Sequence, residues 1–451
     1  MAAVYEVQET ISGFLAGDAL EQLAGYLADV HYADLAEALV AFDLDQQLTI
    51  FRIIDNAKAA QVLFELEREQ IAPLIKGLGK QHLAQIFREM STDDAADLIG
   101  DLPDDKQEHY LSLMSRSDAE DVQELLEYGE DTAGGIMATE FVAINKEITI
   151  EEAIEVLRRT ARQAETVYYV YVVNDQEQLV GVISLRELIT APPGTRIREV
   201  MRTTVISVNV HTDQEEVARV VQKYNFLVIP VVDDIGVLLG IVTVDDVLDV
   251  IEAEATEDFL SLANVHREGQ YLEMNDIQRA VLRLPWLIAL LFGALLAGSV
   301  IQFFEGTLES VVALAFFLPV MAGGPGNVAT QTLAVVVRGL ATGEVASHQA
   351  VMVMLREMRV GLIVGVVCGS VLALIAFVWQ GSATLGVVVG LSLACSMILA
   401  TALGSLCPLI INRIGIDPAL ASGPFITTLM DVTSMLIYFS VASVLLLNYL
   451  R

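Results

Sequence analysis

From residue 1 to about 130, apolar side chains return every three or four positions with little β-branched alternation, which predicts amphipathic helices. The segments YADLAEAL (32–39), NAKAAQVLFEL (56–66), KQHLAQIFREM (80–90) and TDDAADLIGDL (92–102) repeat one pattern. They place Ala36, Ala60, Ala84 and Ala96 at equivalent points, at steps of 24, 24 and 12 residues. Short helices on a fixed period predict a small stacked superhelix in which each unit buries its face on the next. A regulatory or interaction domain is expected there, with a purely structural spacer as the alternative. Between 131 and 255 the pattern changes to β-branched runs alternating with helices. VYYVYVVNDQEQLVGVISLREL (167–188) and FLVIPVVDDIGVLLGIVTVDDV (226–247) are two copies of one unit. Each has an apolar strand, an Asx/Gly turn, a second strand around Gly181 or Gly240, and a helix start. GIMATEFVAI and EVMRTTVISV precede the copies at matching places. VLDVIEAEATEDFLSLANV (247–265) continues as an acidic helix and leads through a helical linker to RAVLRLPWL.

Beyond that point hydropathy takes over. A helix needs roughly 20 apolar residues to cross a bilayer, and five stretches qualify, at about 284–304, 310–337, 358–379, 385–411 and 426–448. Arg279 and Arg283 precede the first, Arg338, Arg356 and Arg359 bracket the loop after the second, and Arg413 lies at the fourth. The loops at 305–309 and 380–384 carry no Lys or Arg. The positive-inside rule then predicts a cytoplasmic N-terminus and an external C-terminus, in a multi-pass protein of the inner or plasma membrane. The opening MAAVYEVQETISGFL lacks the basic-then-apolar plan of a signal peptide, so the soluble part is expected on the cytoplasmic side.

Charge sharpens the division. The 451 residues carry 59 acids and 26 bases, a net of −33, yet beyond residue 285 the acids are Glu305, Glu309, Glu344, Glu357, Asp417 and Asp431. A strongly acidic soluble region thus precedes a nearly uncharged one. Such a surface repels nucleic acid and anionic lipid and concentrates cations, although on charge alone ordinary solubility or adaptation to salt is the preferred reading. Cys368, Cys395 and Cys407 fall in apolar segments without CxxC spacing and read as small buried side chains. The six histidines are scattered, with no HExxH, zinc spacing or nucleophile motif, so no enzyme is expected.

The membrane part holds two anomalies. GGPGN (323–327) lacks the Lys-Ser/Thr of a phosphate loop and lies inside an apolar span. It reads either as close helix packing through small residues, or as a broken helix whose freed carbonyls line a water-filled path. Pro319, Pro325 and the polar run Asn327, Thr330, Gln331 favour the second. Asp431 lies well inside the fifth stretch, where a carboxylate costs about 2.5–3.5 kcal/mol on insertion scales. It must face a cavity, a partner or an ion. No Lys or Arg lies in the apolar body of any span to pair with it, whereas Thr427, Thr428 and Thr433 stand close by. Carboxylate, hydroxyl and carbonyl oxygens suit a hard cation, Mg²⁺ or Ca²⁺.

Carboxylates also cluster in the soluble part. TVDDVLDVIEAEATEDF crowds Asp245, Asp246, Asp249, Glu252, Glu254, Glu257 and Asp258 onto about four helical turns, with several at i,i+3/i+4 spacing. STDDAADL repeats the device with Asp93 and Asp97, and HTDQEE adds Asp213 and Glu215. Each alone is a solvated face; three such clusters attached to an Asp-bearing membrane domain make divalent bridging credible.

The doubled unit at 131–255 resembles a tandem pair of CBS modules, which commonly sense ligands, often adenine nucleotides. EDTAGGIM (130–137), TDQEEVARVV (212–221), VTVDDVLDVIEAEATEDF (242–259), PVMAGGPGNVATQTLAVVVRGLATGE (319–344) and GIDPALASGPFITTLMDVTSMLIYFSVA (415–442) together extend the likeness over essentially the whole chain. The sequence resembles the MgtE family of magnesium channels and transporters. The resemblance implies a multi-domain protein: an all-α superhelical N domain (1–130), an α/β CBS pair (131–255), a connecting plug helix (256–282) and an α-helical membrane domain of five spans (283–451). It implies a homodimer embedded in membrane lipid, with a pore lined by the second and fifth spans at Gly326, Asn327, Gln331 and Asp431. Asp431 would be the pore Mg²⁺ site, helped by the Thr427 carbonyl. Cytosolic Mg²⁺ sites would fall on Asp93, Asp97, Gly135, Asp213, Asp246, Asp249, Glu254, Glu257, Asp258 and Asp417, and their occupancy would close the pore. ATP at the CBS pair is compatible with Tyr169, Arg186, Phe226 and Pro230, which are equally good core and turn residues. Gln61 and Asn225 stand where the resemblance implies a glutamate and an aspartate ligand. Gly423, Pro325 and Ala329 also depart from its pattern. The alternatives are a broader divalent-cation (Co²⁺, Mn²⁺, Ca²⁺) or ion-coupled transporter, and a membrane-anchored nucleotide sensor.

Overall fold

The structure is a computed structural model that describes residues 2–447 except 18, 67, 101, 103, 163, 263–274, 343–344, 346–348, 415–417 and 419–422. The chain forms two compact units, Met1–Ile251 and Glu252–Arg451.

The first unit opens with short helices: α1 (Ala2–Ala16), α2 (Leu20–Asp29), α3 (Tyr32–Leu39), α4 (Leu44–Ile53), α5 (Asn56–Phe64), α6 (Arg68–Leu78), α7 (Lys80–Ile86), α8 (Thr92–Gly100), α9 (Asp104–Leu111) and α10 (Arg116–Leu125). The four repeated segments correspond to α3, α5, α7 and α8. Ala36, Ala60 and Ala96 are buried at the helix contacts, while Ala84 is half-buried. Side-chain caps set the helix starts, as where Asp43 and Gln46 form a reciprocal capping box at α4 and Ser115 accepts from Asp118 N at α10.

Then come β1 (Ala143–Asn145), α11 (Ile150–Thr160), β2 (Tyr169–Val173), β3 (Leu179–Ser184), α12 (Leu185–Thr190), α13 (Ile197–Val200), β4 (Val208–Asn209), α14 (Gln214–Tyr224), β5 (Val228–Val232), β6 (Leu238–Thr243) and α15 (Val244–Leu262). Two three-stranded sheets result, each with a parallel first pair and an antiparallel second pair. The registers match even to the irregularity, which falls at Val172/Val173 in one sheet and Val231/Val232 in the other. Each sheet also borrows a bridge from the segment leading into the opposite copy: Ala138 pairs with Ile241, and Arg202 with Val182. That crossing explains the two glycines. A Cβ on Gly181 would lie 2.6 Å from Met201 Sδ, and one on Gly240 would lie 2.8 Å from the Ala138 carbonyl.

The second unit contains the end of α15, then α16 (Asp276–Phe303), α17 (Glu305–Ser310), a 3-10 turn over Val312–Phe317, α18 (Leu318–Ala341), α19 (Ala350–Gln380), α20 (Ala383–Arg413) and α21 (Gly423–Leu447). Five helical stretches are long and apolar enough to cross a membrane. They extend beyond the hydropathy windows because the polar terminal turns continue the helix. α19 and α20 form the tightest pair. A Cβ on Gly369 would come 2.5 Å from the Gly390 carbonyl, and one on Gly365 would come 2.8 Å from that of Ala394, so the backbones themselves touch. α18 packs on α20 and α21, and α16 lies along α21 without burying any residue fully.

Two expectations change. α18 runs unbroken through Gly323–Asn327, with Pro325 in its interior; the irregular turn lies before it, at Val312–Phe317. Without water, opening the helix would strand several backbone groups, whereas one proline removes one hydrogen bond. The cysteines are free, but Cys395 is exposed on α20 rather than buried. An apolar thiol at that face meets lipid without penalty.

Candidate functional site

In the membrane domain the chemistry gathers on α18 and α21. Thr427 and Asp431 lie one turn apart on α21, and both are half-buried. Thr427 presses on α18 at Gly326, where a Cβ would sit 3.3 Å from its Cγ2. Its hydroxyl donates to the Pro424 carbonyl at 2.9 Å, as does that of Thr428. Thr433 donates to Leu429 O at 2.9 Å and Ser434 to Met430 O at 2.5 Å, so the hydroxyls beside Asp431 are spent on their own helix. On α18, Gly323, Asn327 and Gln331 are exposed at intervals of four residues and make one polar stripe. The structure therefore brings Gly326 against Thr427 and places Asn327 and Gln331 on an outward face of α18.

In the first unit, α8 and the start of α15 bring carboxylates together with the segments around β1 and β2. Asp93 is buried, and burial pushes its carboxyl up from the ordinary range, with Asp245 adding like-charge repulsion. Asp94 is pushed up to about 8 by burial and then by Asp93. Asp246 is pushed up to about 7 by burial, then by Asp93, against the opposing hydrogen bond from Thr243 N at 3.1 Å. Glu165 is raised to about 7 by the same two causes, and Glu140 is raised by burial. The causes are shared throughout: burial comes first for each group, although Glu165 keeps an exposed surface, and neighbouring acids add to it.

Among the described residues no three Asp, Glu, His or Cys side chains converge into a ready-made metal centre. The nest nevertheless offers hard oxygen donors whose mutual repulsion a divalent cation would relieve, so its chemistry fits Mg²⁺. The structure brings Asp93 and Asp246 together. Asp94, beside Asp93 in the chain, Glu140 and Glu165 were not anticipated; Glu140 and Glu165 lie 47 and 72 positions from Asp93 and no local pattern marks them.

The other expected ligands are placed differently. Asp97 sits one turn along α8 from Asp93 and is exposed. Asp213 caps α14, accepting from Glu215 N at 2.9 Å. Asp249 and Glu257 are exposed on α15, and Glu254 and Asp258 are half-buried there. Gly135 lies in a turn so tight that a Cβ would be 2.7 Å from the Glu130 carbonyl. Asp417 lies outside the described residues. Asn225 ends α14 with φ 53°, a left-handed conformation that Asn accepts more readily than most residues, and Gln61 is exposed on α5.

A third feature is a cleft of about 800 Å³ between the two CBS-like units. All four residues read as nucleotide-binding, Tyr169, Arg186, Phe226 and Pro230, line it, together with Tyr168 and Arg202. Aromatic faces beside two guanidinium groups suit a base and its phosphates. Arg202 is tied at 2.7 Å to Glu187, which also caps α12 through Ser184. In the matching positions of the other copy stand Thr243 and Asp246, and there Asp245 takes the place of Arg186, so the sign of charge differs at that one position.

Five spanning helices, an intramembrane carboxylate and a cation-attracting soluble part define a multi-pass ion transporter. Family models match the MgtE divalent cation transporter at residues 318–441, the MgtE intracellular N domain at 30–131 and the CBS domain at 133–194 and 197–253. The magnesium transporter MgtE of Bacillus subtilis is 42% identical over 420 residues, 93% of this chain and 88% of that protein. That of Thermus thermophilus is 42% identical over 424 residues, 93% and 94% of the two chains. The chain belongs to the MgtE family of transporters and is not an enzyme. Among solved structures, a cytosolic domain of the Mg²⁺ channel MgtE in complex with ATP is 40% identical. It matches with TM-score 0.52 over 54% of this chain and 99% of that one. The soluble part of a magnesium transporter is 36% identical, with TM-score 0.53 over 56% and 99%.

Proposed function

We propose that this chain carries Mg²⁺ into the cell as a homodimeric channel or transporter, with its N-terminus cytoplasmic and its C-terminus external. Asp431 is the ion ligand of the path and Thr427 its neighbour, with Gly326, Asn327 and Gln331 lining the way. The observation that carries this reading is the placement of Thr427 and Asp431 on the side of α21 that meets α18 at Gly326. Asn327 and Gln331 add support. Amide side chains exposed at membrane depth are costly against lipid, and a second copy related by a two-fold axis would cover them and enclose a polar path. The magnesium transporters to which the chain is 42% identical support the choice of ion.

Gating follows from the acidic nest. When cytosolic Mg²⁺ is plentiful, Asp93 and Asp246 share its charge, and Asp97, Gly135, Asp213, Asp249, Glu254, Glu257, Asp258 and Asp417 supply further oxygens, so the soluble parts stay compact and the pore is shut. When Mg²⁺ is scarce, like charges drive the elements apart and the pore opens, a population shift set by the better affinity of the closed state. The cleft lined by Tyr169, Arg186, Phe226 and Pro230 takes an adenine nucleotide, as its likeness to the ATP-bound cytosolic domain suggests.

The test is Mg²⁺ uptake by cells expressing Asp431→Asn. Expression at the wild-type level with uptake reduced to background is expected. Wild-type uptake by this variant would remove Asp431 from the path, and equal transport of Ca²⁺ or Mn²⁺ by the parent chain would favour a broader divalent-cation transporter.

A further inference from the structure

In the contact between α8 and the first CBS-like unit, the neutral side chain of Thr92 stands among acids. Thr92 begins α8 and is buried to 3% relative exposure. Its hydroxyl donates to Glu140 Oε2 at 2.7 Å. It accepts from the Thr139 backbone N–H at 3.1 Å and lies 3.0 Å from the Thr139 hydroxyl. A hydroxyl has one hydrogen and two lone pairs, and here all three bonds reach across to the same two residues. The titratable neighbours are of one sign: Asp93 and Asp94 on α8 itself, Glu140 and Glu165 near the first sheet, and Asp245 and Asp246 on α15. Carboxylates on both sides of the contact repel, and Thr92 attracts.

We infer that Thr92 is a positioning residue that adds a metal-independent attraction between the helical domain and the CBS pair, and thereby sets the cation concentration at which the nest closes. The inference rests on the reading of the nest as a divalent-cation sensor. Closing requires that attraction across the contact exceed the repulsion of the acids. Thr92 contributes a fixed attraction, and the cation supplies what remains. Removing the hydroxyl leaves Glu140 and the Thr139 N–H buried without their partner, so more cation is needed to reach the same closed fraction.

The experiment uses the full chain in detergent, with limited proteolysis of the soluble part followed as MgCl₂ is titrated. Thr92→Val keeps the shape and removes the hydroxyl; Thr92→Ser keeps the hydroxyl. The Mg²⁺ midpoint of protection is expected to rise about 10-fold or more in Thr92→Val, as loss of one buried bond to a charged group implies. In Thr92→Ser the midpoint stays close to that of the parent, and both variants reach full protection at saturating Mg²⁺. Glu140→Gln retains an acceptor for Thr92 and removes one charge, so its midpoint falls. An unchanged midpoint in Thr92→Val, an equal shift in Thr92→Ser, or a raised midpoint in Glu140→Gln overturns the inference. Proteolysis of the parent chain that ignores Mg²⁺ overturns instead the sensor reading beneath it.

Discussion

Stripping divalent cations from the protein and varying pH tests the buried nest directly. Asp246 is held at about 7 in the folded chain, against 3.8 for a free aspartate side chain. A carboxyl raised in this way lends its full relative stability below the unfolded value, and that stability is lost as pH rises through the folded one. The window therefore runs from about pH 4 to pH 8. A shift of about three units corresponds to about 4 kcal/mol at most, and relaxation of the contact reduces this to about 2 kcal/mol. About half of this falls between pH 8 and pH 5.5, which for a unit of some 250 residues is a rise in melting temperature of about 3 °C. The assay is thermal unfolding of the full chain with excess chelator, comparing the parent with Asp246→Asn, which cannot titrate at that position. The parent should gain stability as pH falls, and the variant should gain markedly less. With saturating Mg²⁺ the trend should flatten or reverse, because protons and the cation compete for the same oxygens. Parallel pH curves for parent and variant in chelator would refute the account of why these acids are perturbed.

Three other outcomes are expected. Arg186→Ala and Phe226→Ala should each weaken ATP binding to the full chain by roughly tenfold, as judged by calorimetry, while leaving Mg²⁺ uptake without ATP intact. Tyr438→Phe removes the 3.0 Å hydrogen bond to the Leu314 carbonyl. It should cost about 1–2 kcal/mol, read as a lower melting temperature in detergent, since both groups are buried. Gly369→Val should fail to accumulate as folded protein, because its side chain would enter the Gly390 backbone; Gly298→Ala on α16, with nothing within 4 Å, should behave as the parent in size-exclusion chromatography.

Much of the architecture is visible in the chain because it is carried by short-range periodicity. The 32–39 segment is α3 from end to end, and its alanine recurs where the next helices touch. The two strand-turn-strand units are legible because duplication writes the same pattern twice. Asp431 stood out because a charge inside an apolar run has no local explanation. Other features needed the third dimension. Pro325 and its glycines suggested a break, yet packing against α20 and α21 keeps α18 helical. Glu140 and Glu165 look like ordinary surface acids, and only the fold brings α8 beside them. Asp213, in turn, had a local use as a helix cap that its acidic surroundings concealed.

The glycine seam between α19 and α20 has a mechanical consequence. Where backbone meets backbone there are no side-chain rotamers to give way, so the two helices move as a single slat. α18 and α21, joined through Gly326 and Thr427, rest on that slat through α20. In the proposed function the pair is a stator: it fixes one wall and leaves a change of bore to the two helices that carry Asn327, Gln331 and Asp431.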